Sequence, residues 1–390
     1  MKIDLLDGEM YAGDPGPVYA YLRNEAPVYH DAENGLWGIS RHSDIFAIER
    51  NAKLWTNSGG YRPQLPADPS MIGMDDPEHA HRRRLVYQRF TPRGVSRYEE
   101  KIRTTSVELI TAALEAGSVD AVPALAAPLP ARVIGWLLGF PEESWPELVH
   151  WSETAVFAGG GMRYVTDKAT LAVGEFALAV LEMAKERRSC PSEDLLSIWS
   201  NVGPDQPQYD DEHLAHEALL LLVGGAETTR TVIATAIDAL IRNPAQWELL
   251  RRDPSLIPNA VEEFIRWTTP ILNMCRVPNR EASVAGVTIP AGDQVLLMYG
   301  SANRDESVFS RPDEFDITRD PGGHIAFGLG AHFCLGASLA RLELQIFFEE
   351  FIARVGTASW TDDEGPRILR NAFVRGVTEF PIALTERTDA

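Results

Sequence analysis

The sequence predicts a mainly helical fold with small β-sheets, an α+β architecture, from three observations. First, a continuous helix is expected from about Asp211 to Arg242, with Asp210 or Asp211 as its cap and Asn243-Pro244 as its stop. At 1.5 Å per residue it spans roughly 45 Å, enough to cross a whole domain. Second, helical periodicity dominates Arg83 to Leu138 and returns from Ala169 to Arg187 and from Pro258 to Trp267. Third, strand signals are short and sit near the two ends of the chain.

The elements follow in order. Val28 to His30 and Leu36 to Ile39 flank Glu33-Asn34-Gly35, and Asn-Gly between apolar runs signals a β-hairpin. The patches Arg62 to Pro69 and Gly203 to Gln208 carry prolines and read as surface loops. Gly174 is the weak point of the Ala169–Arg187 helix. After Pro270, Val284 to Ile289, Pro290-Ala291-Gly292-Asp293 and Gln294 to Met298 read as strand, turn and strand. Ser301 to Gly323 is rich in turn residues and reads as irregular, and a final helix covers Ala337 to Val355. Gly356 to Leu384 holds short strand-like pieces around a loop, Asn371 to Thr378. No internal repeat or linker divides the chain, so residues 1–390 are expected to form one domain.

Composition narrows the function classes. Of 390 residues 45% are hydrophobic, sufficient for a large core, and the net charge of −20 argues against non-specific nucleic-acid binding. Cys190, Cys275 and Cys334 lie far apart, with neither a disulfide framework nor zinc-finger spacing. Met1 to Asp7 has no basic region followed by an apolar one, and no run suggests a membrane anchor, so the reading is of a cytoplasmic protein.

Four constellations carry chemistry. Phe327-Gly-Leu-Gly-Ala-His-Phe-Cys-Leu-Gly336 sets one cysteine, Cys334, in a glycine-rich loop with helix-forming sequence behind it. Such a loop suits a single thiolate facing a flat, electron-poor partner such as haem iron, and the helix aims its positive end at the sulfur. The bland alternative is a buried structural cysteine in a turn. The second lies inside the long helix, Gly224-Gly225-Ala226-Glu227-Thr228-Thr229. Each mid-helix glycine costs roughly 1 kcal/mol relative to alanine, which points to a distortion or a close ligand. Thr228 is placed to bond the carbonyl of Gly224 or to turn into a cavity, and an acid beside an alcohol suits proton delivery. Close helix packing over a solvated Glu-Thr pair is the alternative. Third, Glu263 and Arg266 share a helical face, as a functional anchor or an exposed ion pair. Fourth, His79 and Arg83, Arg276 and His332 offer positive charge for an anionic cofactor, although part of the Arg82–Arg84 run also reads as a solvated face.

Taken in this order, the four resemble the cytochrome P-450 superfamily. The chain matches the cysteine signature Phe-x-x-Gly-x-His/Arg-x-Cys-x-Gly at Phe327, Gly330, His332, Cys334 and Gly336. It matches the oxygen-activation pattern from Gly224 to Thr229, and both the Glu-x-x-Arg and His-x-x-x-Arg pairs are present. The likeness runs from about Asp4 to Leu384. It implies the cytochrome P-450 fold, with the long helix over haem b (heme b, iron protoporphyrin IX). It further implies that Cys334 is the proximal iron ligand and that Phe327 and Gly336 shape its loop. His79, Arg83, Arg276 and His332 would bind the propionates, Thr228 would hold a water near the distal oxygen, and Glu227 would relay protons. The Glu263–Arg266 pair would anchor the irregular segment before the cysteine loop. The implied reaction inserts one oxygen atom of O2 into a substrate C–H bond, with electrons from a separate ferredoxin and ferredoxin reductase docking on the Cys334 side.

Within the superfamily, Asn57-Ser-Gly-Gly-Tyr-Arg-Pro63, Met71-Ile-Gly-Met-Asp-Asp-Pro77, Arg266-Trp-Thr268 and Asn273-Met-Cys-Arg276 resemble actinobacterial enzymes that oxidise the side-chain end of cholesterol and cholest-4-en-3-one. The expected substrate is therefore an apolar small molecule, a steroid hydroxylated at a terminal methyl. Alternatives are natural-product (macrolide or terpene) or fatty-acid hydroxylation, and a haem-binding sensor without turnover. Expected pocket residues are Met71, Met74, Leu220, Gly224, Ile271, Leu272, Phe373 and Val374. Gly159-Gly160-Gly161 is expected to loosen a lid over the pocket.

Overall fold

The computed structural model describes residues 1–320, 322–362 and 364–388; Pro321, Asp389 and Ala390, which fall within the expected irregular segment and the expected domain, lie outside the described residues, as does Asp363. The helices that build the site are α1 (His42–Glu49), α2 (Glu78–Tyr87), α3 (Glu99–Ala116), α4 (Pro128–Leu138), α5 (Trp145–Ala155), α6 (Asp167–Ser189), α7 (Asp211–Leu222), α8 (Thr228–Arg242), α9 (Ile257–Thr268) and α10 (Ala337–Arg354). The strands are β1 (Val28–Asp31), β2 (Leu36–Ile39), β3 (Trp55–Thr56), β4 (Ser118–Asp120), β5 (Asn273–Pro278), β6 (Ala282–Val284), β7 (Val287–Ile289), β8 (Gln294–Met298), β9 (Val355–Trp360), β10 (Arg367–Ile368), β11 (Val377–Glu379) and β12 (Pro381–Glu386).

The main core belongs to helices. On α10, Leu344, Ile346, Phe347, Phe348, Phe351 and Ile352 are all buried, which leaves little of the helix for solvent and makes it an interior element. Phe348 packs at a tilt against Phe264 of α9 with centroids 4.6 Å apart, and α8 buries Val232, Ile233, Ala236, Ile237 and Leu240 in the same cluster. The path Asp211–Arg242 is long and apolar enough to cross a membrane by length and composition, yet it is mostly buried inside the protein, as a core helix is.

The expected long helix is present, and so is the distortion expected at its glycines. Asp210 caps it by accepting from the His213 N–H at 2.9 Å, and Asn243 ends it. At Val223–Glu227 the helix widens into a π turn and separates α7 from α8. The glycines fall in this turn, where a locally opened backbone is least costly.

The larger sheet has the order β1-β2-β8-β5-β3. β1 and β2 form the expected hairpin, and Gly35 has φ +65° at its turn. The strand expected over Val284–Ile289 is broken. Ala285 and Gly286 take positive φ, so β6 and β7 form their own hairpin, and β8 pairs instead with β2 and β5. This arrangement delivers Ile271, just before β5, and Met274 within it to the wall of an internal cavity. A second sheet, β4-β12-β9, joins the helical body near the chain end.

Candidate active site

A cavity of about 390 Å³ lies between the α7–α8 junction and the cysteine loop. Its lining is largely apolar. Cys334, Thr228, Gly224, His79, Arg83, Arg276, His332, Phe327 and Gly336 all reach it. The cysteine signature and the loosened helix, more than 100 residues apart in sequence, are thereby two walls of one space.

The loop before Cys334 is fixed by its own backbone. The Cys334 N–H donates to the carbonyl of Phe327 at 2.9 Å, and Phe333 N–H donates to Gly330 at 3.2 Å. Gly330 has φ +68°, and a Cβ there would lie 2.3 Å from the carbonyl oxygen of Glu49, so only glycine lets the loop pass α1. Burial pushes the Cys334 thiol up from its usual range, opposed by the Gly336 N–H and by the Arg83 and Arg341 charges. A thiolate here therefore needs a ligand cation to replace water. Among the described residues no three His, Cys, Asp or Glu side chains gather to hold a metal, so an ion on Cys334 must bring its other ligands with it. Haem iron does that.

Two arginines and two histidines crowd the cavity rim. The rings of His79 and His332 are 4.1 Å apart. Burial first, then the His79, Arg276 and Arg83 charges, drive the His332 imidazole down to about 2. Four cationic or protonatable groups gathered on one edge suit a dianionic partner such as two propionates. Three of them have other partners in this structure. His79 Nδ1 lies 3.2 Å from the Asp76 carboxylate. Arg83 donates to the carbonyl of Phe333 at 2.6 Å, tying α2 to the cysteine loop. Arg276, 5% exposed, donates to Glu49 at 2.7 Å and to the carbonyl of Cys275 at 2.8 Å. Glu49 also accepts from the Tyr299 hydroxyl at 2.6 Å, and burial raises its carboxyl above the ordinary range. Glu49 has no motif around it and was not expected at the site.

Of the acid–alcohol pair, one member faces the cavity. Thr228 Oγ1 donates to the Gly224 carbonyl at 2.7 Å, and a Cβ on Gly224 would meet open space. Glu227 does not line the cavity. It is buried behind α8, where it accepts from Ser152 at 2.8 Å and from Arg230 at 3.3 Å, and burial raises its carboxyl. Ser152 of α5 and Arg230, one turn further along α8, hold the carboxyl of Glu227 away from Thr228. Glu343 of α10 is a lining residue that sequence reasoning missed. It is buried with an unpartnered Oε2, and burial holds its carboxyl well above the usual range.

Glu263 and Arg266 are buried, 3% and 2% exposed, and not a surface pair. Arg266 grips Glu263 through two bonds of 2.7 and 2.8 Å and donates to the carbonyls of Asn303 and Pro312. Glu263 also accepts from the Asp316 N–H at 3.0 Å and pairs with Arg319 at 3.2 Å. The irregular segment before the cysteine loop is thus pinned by one ion pair.

Among the expected pocket residues, Met71, Leu220, Gly224, Ile271 and Phe373 line the cavity. Met74, Leu272 and Val374 do not. Leu272 packs in the cluster with Leu5 and Leu296, Val374 turns away beside Val156, and Met74 has passed the 3-10 turn that aims Met71 inward. Met274 and Arg62 line the cavity unexpectedly. The Gly159–Gly161 stretch is close-packed where looseness was expected. A Cβ on Gly159 would lie 2.5 Å from Phe373 and one on Gly160 2.5 Å from Tyr164.

Known proteins match this arrangement. Residues 173–375 match the Cytochrome P450 family. A steroid C26-monooxygenase of Mycobacterium tuberculosis is 40% identical over 98% of this chain and 97% of its own. A Bacillus megaterium structure in complex with testosterone superposes with a TM-score of 0.88 at 31% identity, covering 96% of this chain and 99% of the other. A Mycobacterium marinum cytochrome P450 in complex with pseudoionone gives 0.90 at 30% identity, covering 98% of each. With Cys334 and Thr228 facing across one cavity rimmed by arginines and histidines, and with likeness along nearly its whole length, the chain belongs to the cytochrome P450 family, whose members bind haem b through a cysteine thiolate.

Proposed function

We propose that this cytochrome P450 monooxygenase inserts one oxygen atom of O2 into a terminal C–H bond of a steroid side chain, as a single haem domain working in the cytoplasm. The observation that carries the chemistry is the pairing of Cys334 and Thr228 across one apolar cavity. Support for the steroid is the 40% identity to a steroid C26-monooxygenase over nearly the full chain.

When bound, haem supplies the oxygen-activating iron. Cys334 gives that iron a thiolate, steadied by the Gly336 N–H and the Arg83 and Arg341 charges. His79, His332, Arg83 and Arg276 would hold the propionates, with Arg276 steadied by its bond to Glu49. Thr228 holds a water at the cavity wall when its hydroxyl turns from the Gly224 carbonyl. Glu227 keeps a proton store behind the helix and reaches Thr228 only by leaving Ser152 and Arg230. The apolar walls exclude bulk water from the reacting carbon. Electrons come from a ferredoxin and its reductase. The exposed Tyr87 and Phe333 lie beside Arg83 on the cysteine side and offer an apolar contact among basic side chains, suited to an acidic donor.

The test is titration of the purified haem protein with cholest-4-en-3-one, followed by product analysis. A low- to high-spin shift and a terminal alcohol are expected. A shift with terpenes or fatty acids but with no sterol overturns the steroid reading. The pseudoionone complex of a structural relative is what favours a terpene as the second reading.

A further inference from the structure

Arg62 was expected in a surface loop. It is instead half-buried, and it lines the cavity. Its guanidinium lies 3.4 Å from the centre of the Phe373 ring and 5.1 Å from that of Tyr61. Of its five N–H groups, the structure engages one, from Nη1 to the weakly accepting sulfur of Met274 at 3.1 Å. Among the described residues no carboxylate pairs with it. The nearby acid, Asp68, is taken by the Tyr61 hydroxyl and by the N–H and hydroxyl of Ser70. A cation half withdrawn from water and without a partner is costly, and side chains rarely keep that state unless something else completes it.

The haem edge does not account for Arg62. His332 feels the charges of His79, Arg276 and Arg83, and Cys334 feels Arg83 and Arg341. Arg62 figures in neither set; its own electrostatic neighbours are Tyr61, Asp68, Cys275 and Tyr299. It stands apart from the rim, over Phe373, on a wall that also holds Met274, Val156 and Gly159. Close contact with the face of Phe373 holds the guanidinium and leaves its remaining donors without partners among the described residues.

We infer that Arg62 is a specificity-determining residue that receives an acceptor oxygen, ketone or carboxylate, at the end of the substrate remote from the oxidised carbon. The steroid proposal enters only through the choice of one ligand pair. The measurement is the spin-state titration of the haem-loaded wild type, Arg62→Leu and Arg62→Lys. One pair is cholest-4-en-3-one and its 3-deoxy counterpart, cholest-4-ene; the other is a long-chain fatty acid and the matching alkane. The carbon monoxide spectrum of each variant checks that the haem site is intact.

In the pair the enzyme accepts, Arg62→Leu weakens the oxygenated ligand roughly ten- to a hundredfold, the range of a charge-assisted hydrogen bond, and leaves the deoxygenated one unchanged. Arg62→Lys restores part of the preference. If wild type ignores both sterols yet prefers the fatty acid in an Arg62-dependent way, the steroid proposal fails and the inference stands. Equal weakening of both members of a pair, or no Arg62-dependent preference in either pair, overturns it. So does loss of haem with ligand preference intact, which assigns Arg62 to the propionates.

Discussion

The cysteine loop and the segment from Asn57 to Ile72 line the same cavity but are held differently. Around Cys334 the backbone does the holding: N–H to carbonyl bonds at Phe327 and Gly330, glycines with φ near +65°, and a helix start behind the sulfur. Around Met71 and Arg62 single side chains do it. The Met71 N–H hangs on the buried carboxylate of Glu217 at 2.9 Å, and Arg62 rests on Phe373. Backbone geometry survives most side-chain changes, whereas a contact through one side chain can be retuned by one substitution. The difference teaches where each property resides: the iron's environment in the first region, the choice of substrate in the second.

The largest expected effect tests the first region. Cys334→Ala removes the sulfur donor, so the thiolate band in the carbon monoxide difference spectrum disappears and hydroxylation falls to background. Breaking the support of that region comes next. Glu263→Gln leaves Arg266 buried against a neutral partner and is expected to cost about 3–5 kcal/mol. Chemical unfolding and haem content report the loss, and a stability change under 1 kcal/mol contradicts the anchoring role. Thr228→Ala should leave stability within about 1 kcal/mol of wild type, since the hydroxyl's one bond is to a helix carbonyl. Product per electron pair should drop severalfold, with peroxide rising; unchanged coupling removes Thr228 from proton delivery.

The most gradual effect, spread over several pH units, belongs to the second region. Burial raises Glu217 from 4.5 to about 8. Between those values the folded protein binds more protons than the unfolded chain, so this contribution to stability is complete below pH 4.5 and is lost as pH rises through about 8. Glu217→Gln removes the titration. Denaturation midpoints measured from pH 5 to 9 should then fall less steeply for the variant; parallel curves would show that Glu217 is not the titrating group.

Much of this architecture was legible in advance because it depends on local rules. Asp210 caps a helix by its own side chain, Asn34-Gly35 turns a hairpin by its own φ, and two glycines loosen the helix they occupy. The strand over Val284–Ile289 was misread because Ala285 adopts φ +47°, a conformation its side chain gives no notice of. The position of Glu227 off the cavity was not legible, because it is set by Ser152 of α5 and by Arg230, partners that adjacency to Thr228 does not reveal. Arg62 was misread because a proline-flanked arginine ordinarily belongs at the surface, and only the approach of Phe373, some 300 residues later, covers it.

The sequence by itself determined the reactive parts: one cysteine in a glycine-rich loop, a distorted helix with its threonine, and the arginines and histidines of the rim. Each is written in a short run whose backbone preferences and spacing act locally. Tertiary structure alone decided which of those groups share the cavity. It placed Thr228 on the wall and Glu227 behind it, buried Glu263 with Arg266, joined Glu49 to Arg276, and left Arg62 facing inward without an acid. Burial and pairing depend on what distant segments bring to a side chain, and for a charged group they decide whether it is solvated, neutralised or free to take a ligand.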